Sequence, residues 1–455
     1  MSRLFTCLLF AAAMLTAGAY DYKVGDLCYN INEDGNTVSV APEKSNGGYT
    51  SLSGKVTIPR MVLIENRPYT VTAIGRNAFY YCKNITEVVI GDAVTIIDSF
   101  AFEDCSGLTS VTFGRVLQVI GFSSFSGCKS LTTLDIPKPV KEIGESAFDG
   151  CTSLTTITLP STLLTIGRSA FAYCSKVTTI NGGENVERMG RGAIDYTKWY
   201  SNQPTGVVYF GKVAVGVRGD VPETITFKEG IVSIAPYFVS SDYLLHVNFP
   251  STLKEIGEQS FEFCRELNNV TFPASLEVIG PTAFDACMAF TDVVIPDNVT
   301  TIGNNAFSRS SNITKVTIGK GVTSIGQTAF TSCTGLQHIY SFPDPDLVVM
   351  GKDVFYRGPS SSCVLHVKSE YLSKYETADQ WKNFMPNIVG DLSDAPAAKK
   401  GDVNGDGEVG IADVTVLVDL ISNRSENERS DVNGDGETGI PDVTVLVSLI
   451  LESLR

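Results

Sequence analysis

The sequence predicts an α/β chain leaning mostly to β: a solenoid of short stacked strands followed by a small all-α module. Three observations predict it. Phenylalanine recurs at a fixed step of 23 residues, at Phe79, Phe102, Phe125, Phe148 and Phe171, and again at Phe238, Phe261, Phe284, Phe307 and Phe330. A period of this size marks stacked copies of one small unit. Between the phenylalanines no segment is long enough for an average helix, and alternating aliphatic pairs are punctuated by Gly and Pro. An acidic pattern, Asp-Val-Asn-Gly-Asp-Gly, then occurs twice, 29 residues apart, at 402–407 and 431–436, each copy leading into an apolar run.

Composition narrows the class. The 455 residues are 43% hydrophobic and 19% charged, which suits a packed protein. The net charge is -15, and residues 401–455 carry twelve acidic against three basic residues. No basic patch points to nucleic acid.

Residues 1–19 have the pattern of a secretory signal: Arg3, an apolar run over 4–15, and Ala17-Gly18-Ala19 as the cleavage site. The run is shorter than the ~20 residues a membrane span takes. The expectation is an exported protein once the signal is removed, without a membrane span.

Residues 20–60 lie outside the period. Val38/Val40 and Val56/Ile58 alternate as strands do, with turns at Asp34-Gly35-Asn36 and Gly47-Gly48. They are expected to form a β-rich N-terminal cap over the open end of the stack.

The array spans 61–356. Three residues after most phenylalanines stands a Cys (Cys82, Cys105, Cys128, Cys151, Cys174, Cys264, Cys287 and Cys333), with Ser241 and Ser310 in its place twice. Six residues on is an apolar residue such as Leu108 or Leu154. Nine and eleven on is an alternating pair such as Val111/Phe113 or Leu134/Ile136, the inward face of a strand. Ile-Gly follows (Ile166-Gly167, Ile256-Gly257), where Gly is expected to permit a turn that a Cβ would hinder. The cysteines share the core phase with Leu and Phe, so they are read as buried free thiols rather than a disulfide framework. Cys28 and Cys363 fall near opposite ends, and no Cys-x-x-Cys pair suggests a metal.

The array is interrupted at 195–225. Trp199 and Tyr200 are expected to be exposed there, and 207–210 with 213–215 to form a hairpin around Gly211-Lys212. A C-terminal cap over 357–390 is expected to hold a last strand at 364–367 and a helix over 371–384 plugged by Trp381. A small-residue linker covers 391–400.

The duplicated segment at 401–455 carries the clearest chemistry. A hard Ca²⁺ ion takes oxygens from positions 1, 3, 5, 7 and 12 of a loop with Gly at 6. The first loop offers Asp402, Asn404, Asp406, Glu408 through its carbonyl, and Asp413. The second offers Asp431, Asn433, Asp435, Glu437 through its carbonyl, and Asp442. Two Ca²⁺ ions are expected.

The outward strand positions, eight and ten after each Phe, form the other candidate surface. They include Thr156/Thr158, His246/Asn248, Asn269/Thr271, Lys315/Thr317 and His338/Tyr340. Threonine is simply a good strand former on a wet face, but solenoid faces also serve as extended binding surfaces. Candidate contacts are His246, Asn248, Lys315, His338 and Tyr340, together with Trp199 and Tyr200. No nucleophile elbow, zincin helix or phosphate loop is present, and paired acids such as Glu142/Glu145 read as solvated surface. A non-enzyme is expected.

Two resemblances follow from these motifs. Residues 401–451 resemble a type I dockerin, which implies Ca²⁺ binding and docking onto a cohesin-like partner. Where that family often shows a Ser/Thr pair at loop positions 10 and 11, this chain has Ile411-Ala412 and Ile440-Pro441. Those four residues stand where the partner would be met. The motif I-G-x-x-A-F-x-x-C-x-x-L, running from about Ile74 to Phe330, looks like the BspA-like leucine-rich repeats of bacterial surface proteins. That implies a right-handed, curved leucine-rich-repeat solenoid with a parallel sheet, binding a protein or glycan without catalysis. The expected function is a secreted binding protein with an attachment tail. The alternative is an accessory subunit of an extracellular polysaccharide-degrading complex assembled through that tail.

Overall fold

The computed structural model describes residues 19–358, 361–393, 403, 409, 411–422, 430–432 and 438–453. Residues 1–18 of the expected signal peptide and most of the linker lie outside them. The described chain is mostly β and divides into two compact units, residues 1–339 with 343–363, and residues 340–342 with 364–455.

In the first unit the repeat folds as stacked coils in parallel register. Two parallel ladders run through it, where one sheet was expected. The first joins the two-residue strands Ile96–Ile97, Val119–Ile120, Glu142–Ile143, Thr165–Ile166 and Arg188–Met189. From the second strand on, these are the residues just before the repeat Gly. The second joins Thr133–Asp135, Thr156–Thr158 and Thr179–Asn181. Both recur after the interruption, as Ser233–Ile234 through Val349–Met350 and as Asp292–Ile295 on Lys315–Ile318.

The repeat Gly therefore has a different task from the turn expected of it. Gly144 packs on Gly121 of the preceding coil, and a Cβ would come 2.7 Å from the Gly121 carbonyl carbon. Gly280 meets Gly257 at the same distance. Close backbone approach between coils, rather than a positive φ, requires glycine here.

The phenylalanines stack face to face through the core. Ring centroids from Phe79 to Phe171 lie 4.8, 4.9, 5.2 and 5.4 Å apart, with interplanar angles of 10° or less. Tyr49 extends this stack at its start, 5.3 Å from Phe79, and its hydroxyl donates to the Ala41 carbonyl while accepting from Cys28 N–H. Phe355 extends the second stack, 5.7 Å from Phe330, beyond the point where the period fades. The cysteines stand beside the rings as free, buried thiols. Those of the array reach back one coil: Cys128, Cys151 and Cys174 donate to the carbonyls of Phe102, Phe125 and Phe148 at 3.2–3.3 Å. Ser310 makes the same bond to Phe284, which explains why Ser substitutes for Cys in the pattern.

On the turn side, residues two before and two after the anchor ring adopt positive φ. Ser146, Ser169, Thr282 and Asn305 do so before it, and Tyr173, Ala286 and Arg309 after it. A non-Gly residue there costs roughly 1–2 kcal/mol. Alternating handedness turns the N–H groups of positions −2, 0 and +2 towards the following coil. Ser146, Phe148 and Gly150 thus donate to Arg168, Ala170 and Ala172 at 2.7–2.9 Å. The inter-coil bonds offset the backbone cost.

Three expectations need correction. The anchor position after the interruption is Val239, not Phe238: Val239 N–H donates to Ser260, Cys264 points at the Val239 carbonyl, and the Phe238 ring lies tilted by 57° to Phe261. No strand forms at 269–271. The Asn269 side chain accepts from the N–H groups of Thr291 and Asp292 at 2.8 and 3.2 Å, capturing donors the ladder would use. The 371–384 segment is not one helix. It holds a short helix α2 (Leu372–Tyr375) and a 3-10 turn at Trp381–Phe384, separated at Gln380, whose φ of 65° no helix continues. Trp381 is buried as expected, edge-on to Tyr375, and Val364–Lys368 pairs in parallel with Ile388–Leu392.

Candidate binding surfaces and calcium loops

The outward strand positions are exposed where the second ladder is regular. His246 and Asn248 are solvent-facing, and their strand pairs with Thr224–Thr226. Lys315 is half-buried beside Asp292, 3.6 Å away. His338 and Tyr340 are also half-buried; in the second unit the Tyr340 ring stacks on His366 at 4.4 Å. His366 gave no signal in the sequence because it stands outside the period. Around Thr109, Thr132 and Thr155 each threonine hydroxyl donates to a carbonyl one coil earlier, so those threonines knit the coils together.

At the interruption the expected hairpin is present: Gly206–Phe210 pairs antiparallel with Val213–Arg218, and Gly211 turns at φ 55°. Trp199 and Tyr200 are not exposed. They sit on a one-turn helix α1 (Lys198–Ser201), capped by Thr197, and are half-buried against the core. The Trp199 ring meets Phe210 edge-on at 5.3 Å, and the Trp199 backbone N–H donates to the Val177 carbonyl at 2.7 Å. Two polar-tipped aromatics placed where the Phe stack lapses are drawn in to cover the open core.

The exposed aromatics are others. Tyr196, 66% exposed, stacks on Tyr173 at 4.5 Å. Tyr237 carries the Arg191 guanidinium 3.7 Å above its ring. The signal for the first pair was present, since Tyr173 and Tyr196 both stand two residues after an anchor. Arg191, Tyr196 and Tyr237 border a cleft of about 580 Å³, lined also by Asp195, Tyr200 and Val217, among others. Burial holds the Asp195 carboxyl above its ordinary range, against the pull of Arg191.

In the C-terminal module two helices, α3 (Ile411–Ser422) and α4 (Ile440–Ser453), pack around Val403, Leu417, Val432 and Leu446. Asp413 and Asp442 occupy equivalent places in their first turns and are both buried. The Asp442 carboxylate accepts from Gly439 N–H at 2.7 Å. Asp431 is exposed. Asp402, Asn404, Asp406, Glu408, Asn433, Asp435 and Glu437 lie outside the described residues. Two buried carboxylates at equivalent helix positions, each following a segment rich in Asp and Asn, are the oxygen chemistry that Ca²⁺ takes. The residues present fit that ion. The backbone of Ile411 and Ala412 opens α3. Ile440 is 76% exposed, Pro441 is exposed, and Val447 and Leu451 continue an apolar stripe along α4 at helical spacing.

Among the described residues no group of three or more His, Cys, Asp or Glu could hold a metal, and no helix is long and apolar enough to cross a membrane.

Comparison with known proteins bears on both parts. The dockerin type I domain family matches residues 400–451; such domains bind calcium in general and dock on a cohesin-like protein. The BspA type leucine rich repeat region matches residues 72–199 and 223–362, in six copies. Both families are non-catalytic and typical of extracellular or cell-surface bacterial proteins. Similar solved structures include a leucine-rich repeat protein from Bacteroides ovatus (23% identity, covering 71% of this chain and 95% of that one, TM-score 0.30). A leucine rich cell surface protein from Faecalibacterium prausnitzii is 26% identical over 70% of this chain and 94% of its own, TM-score 0.32. The pneumococcal vaccine antigen PcpA is 18% identical over 83% of this chain and 100% of its own, TM-score 0.37. A search of curated proteins finds no match. With the repeat family matched over more than half of its length, the chain belongs to the BspA-type leucine-rich repeat proteins.

Proposed function

We propose that this is an exported, non-enzymatic bacterial binding protein. Its solenoid recognises a protein or glycan surface, and its tail attaches it to a cohesin-like partner when two Ca²⁺ ions are bound. One observation carries the reading. A coil array whose repeated positions serve packing is joined to a duplicated loop-and-helix module that buries Asp413 and Asp442 at matching places. Asp402, Asn404, Asp406, Glu408 and Asp413 would hold one ion, and Asp431, Asn433, Asp435, Glu437 and Asp442 the other. Bound calcium would draw each loop onto its helix. Ile411, Ala412, Ile440 and Pro441 would then face the partner, with Val447 and Leu451 making that surface apolar. On the solenoid, His246, Asn248, Lys315, His338 and Tyr340 offer polar and aromatic contacts on the strand face.

Calorimetry on the full chain should find two calcium sites, with one lost in Asp413→Ala and the other in Asp442→Ala. Immobilised cohesin modules should retain the chain in calcium and release it in chelator. No calcium uptake, or retention indifferent to chelator, would sink the attachment role.

A further inference from the structure

At every regular step of the first unit, a coil hands its turn-side amides to the coil that follows. Ser169, Phe171 and Tyr173 donate to the carbonyls of Arg191, Ala193 and Asp195 at 2.9, 2.8 and 3.0 Å. The next three in the series are the N–H groups of Gly192, Ile194 and Tyr196. They meet no acceptor among the described residues. Beyond the interruption the series resumes, with Tyr237 and Val239 donating to Glu258 and Ser260, both at 2.9 Å. The carbonyls that should receive from an earlier coil, those of Pro236, Phe238 and Ser240, have no donor among the described residues.

The hairpin causes this gap. Val213 and Ala214 keep the parallel ladder by pairing with Ser233 and Ile234. The chain then runs straight on to Arg218 against its antiparallel partner instead of turning. One turn-side rung is missing, and the cleft of about 580 Å³ stands there, lined by Gly192, Ile194, Tyr196, Pro236 and Phe238. That volume falls among ligand pockets, which run about 300–1,000 Å³.

We propose that this cleft binds an extended segment of a partner polypeptide, main chain to main chain. One wall offers N–H donors at every second residue and the other offers carbonyls at every second residue. At each other step of the solenoid the same two edges enclose a polypeptide backbone, so the occupant that fits is one that turns a carbonyl at every second residue to the donor edge and an N–H at every second residue to the acceptor edge, as an extended strand does. Strand addition of this kind takes affinity from the main chain and specificity from side-chain pockets. Here Arg191, Asp195 and Tyr237 would supply the specificity. Sugar hydroxyls lack the fixed two-residue repeat of one-sided donors. The inference rests on the reading of the solenoid as a binding module, but not on its strand face.

The probe is a displayed library of random linear dodecapeptides, selected on the full chain in calcium, with one enriched sequence then synthesised. Ser201→Trp places a bulky group at the cleft from an exposed helix position, and Val217→Glu serves as a second block. Both should weaken binding at least about tenfold with unchanged melting, while Thr156→Lys on the strand face changes nothing. Amide exchange at Gly192, Ile194 and Tyr196 should slow on binding. N-methylation of alternate peptide residues should cost about tenfold per site in one phase and little in the other, the loss expected for one hydrogen bond. Failure to enrich any peptide, equal binding by both blocked variants, or indifference to N-methylation in both phases would overturn the proposal. So would an oligosaccharide that competes for the cleft. Peptides lost with Thr156→Lys and retained by Ser201→Trp would overturn the cleft and leave the binding-module reading standing.

Discussion

The repeat array and the C-terminal helix pair are held together by opposite means. In the array, each coil closes its backbone bonds, its ring stack and its thiol contact on a neighbouring coil. Stability accrues by repetition, and no single residue is indispensable in kind. Among the described residues the helix pair buries Val403, Leu417, Val432 and Leu446, together with the carboxylates of Asp413 and Asp442. A module of about 55 residues needs an added tie, and the acidic loops are suited to supply one. A protein can thus carry a stretch stabilised by number next to one stabilised by chemistry, and each should fail under a different stress.

Chelation should separate the two most sharply. Removing calcium should abolish the helical signal of 411–422 and 440–453 while the β signal and its denaturation midpoint stay unchanged, measured by circular dichroism of the full chain. If both parts melt together, the contrast is wrong. Next in size is Phe284→Ala. The ring is fully buried between Phe261 and Phe307, and its loss should cost about 3–5 kcal/mol of solenoid stability in denaturant with calcium affinity untouched. Gly144→Ala should cost about 1–3 kcal/mol, because the new methyl meets the backbone of the preceding coil rather than a side chain that could move.

The smallest effect is one of pH. Burial pushes the Cys264 thiol up to about 11 and Cys333 up to about 12. The unfolded thiols ionise near ~8.5, so above that value the unfolded chain sheds protons that the folded chain keeps. Solenoid stability should therefore be full below about pH 8 and fall as pH rises through the unfolded value. Cys333→Ser should lessen that slope and cost only about 1 kcal/mol, as Ser310 fills the same role. Rapid alkylation of the folded chain at pH 8 would contradict the burial.

What could be read in advance follows the same division. The period exposed Phe, Cys and the inward aliphatics, because packing against an identical neighbour imposes identical residues. It missed Phe355, which comes 25 residues after Phe330 instead of 23, and it chose Phe238 over Val239 because a ring is more conspicuous than the backbone register that decides. The loss of the strand at 269–271 depends on one asparagine side chain capturing two amides, which no hydrophobic pattern records. Trp199 and Tyr200 looked exposed because the period around them had lapsed, yet that lapse is what opened a core for them to cover. The duplicated acidic loops were legible as a motif. The cleft was not, because a missing rung is visible only once it is known which way the hairpin runs.

The one-sided turn amides have a further consequence. In the parallel ladders peptide dipoles nearly cancel, but on the turn side three per coil point the same way, and each peptide unit carries about 3.5 D. In a helix the amides point back to the start of the chain; here they point forward, so each block has its positive pole at its last coil and its negative pole at its first. The interruption divides the series, leaving the positive pole at Gly192, Ile194 and Tyr196 opposite the negative pole at Pro236 and Phe238. Where the repeat lapses, the solenoid has acquired a polarised gap between two like-oriented stacks.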